Sequence, residues 1–302
     1  MRTRSSVRAG TRLNLFSLAC VLIPIALPAI AAPSRGIPAP GDMYEIRRDY
    51  STAEKNETDE GSSNSSGHST VAERVIAVHF DGMELEYDLS SDAKPEDRLR
   101  EWQLPARIFR PNRGTLRLLN AAALESRVDR LLKAGKMTRA ACGRWIFTWN
   151  AFKIDCDPLS VLKTIAGYDM GWDKLAEGMP FNNKTAENPA PLVKRSTDTG
   201  GSTLAVEFTL NADYVCQQRA ESDVIIGEIM RKPVTLEQAL RERSREQISG
   251  RVSVIVSTNA AGREFKRVTT TSMRRQEVDG QIVTGTSTET LEKRLIAAAP
   301  RT

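Results

Sequence analysis

Two histidines in 302 residues leave little raw material for a histidine base or a histidine-ligated metal. No G-x-S-x-G elbow, no phosphate-binding G-x-x-x-x-G-K-[ST] loop and no H-E-x-x-H helix occurs, so the common serine-hydrolase, nucleotide and zinc-protease signatures are missing. Beyond residue 32 no run is apolar enough to cross a bilayer as a helix. Aromatic residues make up only 6% of the chain, and the few that cluster stand out for that reason.

The uncharged stretch that does exist is at the start. Arg2, Arg4, Arg8 and Arg12 precede a run from Leu13 to Ala32 without a single charge, ending in Ala29-Ile30-Ala31-Ala32. A basic segment, an apolar segment and small residues in that order form the pattern of a secretory signal peptide. Pro24 and Pro28 interrupt the apolar run and argue against a permanent membrane helix. The expectation is therefore an exported protein, periplasmic or secreted, with no stable membrane span after cleavage. It resembles exported proteins of bacterial envelopes, a likeness of destination that carries no mechanism. Cleavage would also remove four arginines, turning 43 basic against 38 acidic residues into 39 against 38. A near-neutral remainder gives no electrostatic reason to expect a nucleic-acid partner.

An oxidising compartment makes the cysteines worth placing. Cys142 and Cys156 flank Trp145 to Ile154, a strand-like stretch turning near Trp149-Asn150, which would bring the two sulfurs to one end of a hairpin and join them as a disulfide. Pairing Phe147 with Phe152 would set the cysteines one residue out of register. On this hairpin Trp145, Phe147 and Trp149 share one face and Phe152 joins from the partner strand. The four are core anchors if buried and a stacking platform for an apolar ligand if exposed.

Along the chain the reading is a signal peptide at 1–32, a flexible N-terminal region with one strand at 33–70, an α+β lobe with the cysteine hairpin at 71–170, a long connector at 171–201 and a second α+β lobe with a C-terminal β-meander at 202–296. Residues 51–70, STAEKNETDEGSSNSSGHST, have almost nothing to bury and read as a loop or linker. Asp81-Gly82 signals a hairpin with Val78 facing Leu85 and His79 facing Glu84 on the polar side. Asn120 would cap a helix to Ala134 with Leu124, Val128, Leu131 and Leu132 as its apolar stripe, and Asp157-Pro158 would open another running to about Tyr168. Leu204, Val206, Phe208 and Leu210 alternate as one buried strand face. At the end, a turn at Asp279-Gly280 would set Thr271 opposite Thr288 and Arg267 opposite Glu292.

Two short motifs lack their context. Asp198-Thr199-Gly200 matches the aspartic-protease triplet without its framing apolar strands, and Ser160-Val161-Leu162-Lys163 matches the Ser-x-x-Lys of penicillin-recognising enzymes without their partner elements. The fold class expected is α+β, mainly antiparallel sheets with β-hairpins, a C-terminal meander and four to five helices packed on one side. The function expected is non-enzymatic, with no cofactor and no metal: binding of an envelope protein or apolar ligand through a β-sheet surface. A secreted hydrolase using a carboxylate pair is the rival.

Overall fold

The structure is a computed structural model that describes residues 38–57, 61–147, 151–198 and 200–297. The predicted signal segment lies outside these residues. Fourteen strands and five α-helices are present among them. The main strands are β1 (Met43–Asn56), β2 (Ser62–His79), β3 (Gly82–Leu89), β4 (Ala106–Pro111), β10 (Val193–Asp198), β11 (Gly201–Thr209), β12 (Gln247–Asn259), β13 (Glu264–Gln276) and β14 (Ile282–Ala297). With the two-residue β5 (Arg117–Leu118) they form one ten-stranded sheet in the order β10-β11-β12-β13-β14-β1-β2-β3-β4-β5. Every neighbouring pair is antiparallel. The α+β class with a large antiparallel sheet is thus what the sequence pattern called for.

Most connections are tight hairpins. The strand near the start of the chain, β1, lies beside the last, β14, in mid-sheet. Residues 119–192 link one end of the sheet to the other. This link carries α2 (Ala121–Ala134), the ribbon β6 (Trp145–Phe147) and β7 (Ala151–Lys153), α3 (Ser160–Ala166), and the ribbon β8 (Pro180–Phe181) and β9 (Ala190–Pro191). Helix α1 (Pro95–Arg100) lies between β3 and β4, and α4 (Ala212–Ile229) and α5 (Leu236–Arg243) join β11 to β12. Asn211 caps α4 by accepting from the Tyr214 amide, and Thr235 with Gln238 forms a capping box on α5.

The apolar residues gather in two clusters. Ile46, Val71, Val75, Leu85 and Ile108 from the sheet pack with Leu124 of α2 and Val161 and Ile165 of α3. Leu204, Val206, Phe208, Val252, Val254 and Val256 pack with Ala186 and Leu192 of the link. Register puts both on one face, because Leu291 of the first cluster and Val256 of the second are the two cross-strand partners of Arg267. The strands from both predicted lobes therefore share a single sheet, and the described residues belong to one compact unit.

Several local expectations need correction. Residues 51–56 and 62–70 are strand, because backbone pairing with β14 and between themselves replaces the side-chain burial that the composition lacks. Within 171–201, β8, β9 and β10 are ordered by burial of Leu192 and by pairing of β10 with β11. The β2–β3 turn falls on Phe80 and Asp81, with His79 opposite Gly82 and Val75 opposite Leu85 across a bulge. Gly82 is needed inside β3 because a Cβ there would lie 2.3 Å from the Arg110 carbonyl of β4. The β13–β14 connection is a three-residue loop, Val278–Gly280, with Gly280 at φ +87° between Glu277 and Gln281, whose backbones bond. That moves the register by one, so Thr270 faces Thr288 and Arg267 faces Leu291. Helix α3 begins at Ser160, after the Asp157 carboxylate has accepted from the Leu159 amide. Asn120 precedes α2 as expected, but its side chain serves the Arg107 amide and the Pro105 carbonyl instead of capping the helix.

Candidate functional site

Strand β2 outruns its neighbour β3. From Val71 to Val75 it is paired on both sides, with β1 or the Asp42 turn on one and β3 on the other. From Ser62 to Thr70 it pairs with β1 alone among the described residues. The run Ser62–Thr70, SSNSSGHST, is strand backbone that no described residue pairs on its other side, and Ser62 to Ser66 and His68 are exposed.

Nothing in this run blocks an approaching strand. It holds no lysine, arginine, acid or proline, and its pairing with β1 has no bulge. Natural edges are usually blunted by such devices. The β10 end of the sheet has them: β10 carries exposed Lys194 and Arg195, and its register with β11 shifts between Lys194 and Ser196.

The surfaces around this edge are polar on both faces. On the outer face Ser66, Ser51, Thr288 and Thr270 form one cross-strand row, and Asn64, Ala53, Thr286 and Ser272 the next. These rows border a shallow recess of about 320 Å³. On the inner face the Tyr50 ring lies against Gly67, where a Cβ would stand 2.7 Å from the ring carbon Cε1. Tyr168 donates to Ser69 Oγ at 2.9 Å, and Arg48 donates through Nε to Glu289 at 2.6 Å. These contacts end the covered part of the sheet and begin its bare arm.

The charged clusters elsewhere are closed on themselves. In the first core, Glu73 is 2% exposed and accepts from Lys293 Nζ at 2.6 Å and from the Tyr87 hydroxyl at 2.5 Å. The Lys293 ammonium also sits 3.5 Å from the Trp172 ring centre and 4.9 Å from that of Tyr44. Burial pushes Lys293 below its ordinary value, and burial followed by the Glu73 charge pushes Tyr87 well above its own. A second cluster joins α4, α5 and β13. Arg243 holds Asp223 at 2.6 Å and Glu246 at 2.5 Å, Arg219 meets Glu246 at 3.1 Å, and Arg275 meets Glu277 at 2.9 Å. Burial pushes the Cys216 thiol nearby above its ordinary value.

The expected disulfide joins Cys142 and Cys156, with Cα atoms 5.7 Å apart. Trp145 pairs with Lys153 and Ile146 with Phe152, so the register places the two cysteines directly opposite and Phe147 opposite Ala151 instead of Phe152. Trp145 is half-buried and donates through Nε1 to Glu228 at 2.7 Å, while Lys153 reaches the same oxygen at 3.3 Å. These bonds dock the hairpin on the end of α4 and hold the Glu228 carboxyl below its ordinary value. Trp149 lies outside the described residues. Of the other platform candidates, Phe147 and Phe152 are placed by backbone register alone. His79 keeps its expected neighbour, 3.9 Å from Glu84, beside an open recess of about 460 Å³ that also borders Phe109 and Arg117. Ser160 accepts from Gln103 at 2.9 Å in the first turn of α3.

The run Ser62–Thr70 escapes pattern reading because small polar side chains alternate without contrast. Glu73 and Lys293 were legible in principle: each occupies the buried phase of its strand, between Val71 and Val75 and between Leu291 and Leu295.

No protein-family model matches the chain, and no curated protein matches it in sequence. Among solved structures it is similar to one described as lipid-protein interactions in lipovitellin, at 10% identity and a TM-score of 0.35. That likeness covers 87% of this chain and 26% of the other, and at this level it carries no argument.

Proposed function

We propose that this is an exported, non-enzymatic binding protein that takes an extended partner chain onto the open edge of its sheet. The observation that carries the reading is the run Ser62–Thr70, strand backbone paired on one side only among the described residues and free of the charges, prolines and bulges that blunt an edge. Backbone hydrogen bonds would supply the affinity, and the small polar side chains on both faces would admit many partner side chains. Export is supported by the leader pattern in residues 1–32 and by the cystine; no helix among the described residues is long and apolar enough to cross a membrane. A partner chain is favoured over an apolar ligand because the apolar side chains gathered in the two clusters are already covered by the link and helices, and those that border Ser62–Thr70 are few.

Selection of extended peptides from a display library against the exported form tests this. Selected peptides should slow amide exchange in 62–70 and lose binding to an Asn64→Lys, Ser66→Lys variant. Binders that map instead to the Trp145 hairpin or the His79 recess would refute the proposal.

A further inference from the structure

We infer that the chain seated on this edge is a second copy of the protein, paired β2 to β2 in antiparallel fashion about a two-fold axis. The inference rests on the reading of Ser62–Thr70 as a binding edge and names its occupant. A two-fold contact is isologous, so each residue must tolerate its own symmetry mate or that of a close neighbour. An axis at Ser66 sets Ser66 against itself, Ser65 against Gly67, Asn64 against His68, Ser63 against Ser69 and Ser62 against Thr70. No like charges and no bulky pair meet in that register. The same operation on β10 would crowd Lys194 and Arg195 against their own copies beside a bulge, so of these two edges only β2 is self-compatible.

The geometry of the slot agrees. The open length of β2 ends at Val71, where β3 takes up the pairing. The contact stops short of the ends of that length, because in this register Gly61, bonded to Asn56, would face Val71 of the other copy, where Leu89 already pairs, so Ser63–Ser69 carry it. Both faces of the arm are polar, so the joined sheet β1-β2-β2-β1 asks for no apolar cover. Affinity comes from paired backbone groups, and the contact closes after two subunits because the symmetric edge is then used up.

The test is the oligomeric state of the exported form by sedimentation equilibrium from micromolar to millimolar concentration. The native protein should reach a dimer. The Asn64→Lys, Ser66→Lys variant, with unchanged melting temperature, should dimerise on the order of a hundredfold more weakly, because like charges opposed across a contact are strongly unfavourable. As a check independent of that variant, Ser66→Cys in a Cys216→Ala background should oxidise to a covalent dimer, whereas Val193→Cys on β10 should not. A native protein that stays monomeric, or a dimer indifferent to the lysines, overturns the inference. If library peptides still protect 62–70 in that event, strand addition stands without the second copy; if they do not, both fall.

Discussion

From Val71 to Val75, β2 buries every second side chain: Val71, Glu73 and Val75 are covered while Arg74 is exposed. From Ser62 to Ser66 the same strand buries none, yet its pairing with β1 runs on without a shift. In the first stretch side chains select the register and the cover, since a slip of one residue would turn valines to water. In the second, only the backbone ladder inherited from the first keeps the strand in line. A strand that has no side-chain reason to end where its neighbour ends leaves its hydrogen-bonding groups on offer.

That contrast predicts unequal costs for mutation. The largest belongs to Glu73→Ala, which strands the buried Lys293 ammonium and should destabilise by about 3–5 kcal/mol in chemical denaturation. Replacing the pair together, Glu73→Leu with Lys293→Met, should recover most of that loss, because the cost lies in the unpaired charge. Leu85→Ala, opposite Val75 in the same covered region, should cost about 2–5 kcal/mol. Cys142→Ser removes the cystine from the link that covers the inner face and should cost about 3 kcal/mol. Asn64→Lys on the open arm should change stability by less than about 0.5 kcal/mol. A large loss from Asn64→Lys would erase the distinction between the two stretches.

A pH titration sharpens it further. The Glu228 carboxyl is held below its ordinary 4.5 by its bonds to Trp145 and Lys153. A depressed folded value favours the docked hairpin above pH 4.5 and loses that contribution as pH falls through the lowered value. Trp145 fluorescence should therefore change in acid, below the usual glutamate range, while exchange in the arm stays the same. A transition at or above 4.5 would contradict the docking.

What the sequence made legible follows the same division. Leu204, Val206, Phe208 and Leu210, the α2 stripe and the cystine could be read because burial or a covalent bond wrote them as periodicity and spacing. The arm could not, because SSNSSGHST is as polar as a linker and its order comes from neighbours far along the chain, Thr284 to Glu292 of β14 through β1. Turn details erred by one residue for a related reason. Asp-Gly pairs announce a hairpin, but Gly82 is consumed by the close approach of β4 and Gly280 by a three-residue loop. The candidate site was the least legible part, since an open edge is a property of what β3 fails to cover.

Amide hydrogen exchange along β2, followed by mass spectrometry as protein concentration is raised, tests the central claim most directly. Residues 71–75 should be protected at every concentration, and the amides of 62–70 that do not donate to β1 should pass from fast exchange when dilute to protection when concentrated. Exchange of those amides that stays fast throughout, or protection that is already complete in dilute solution, would contradict the account.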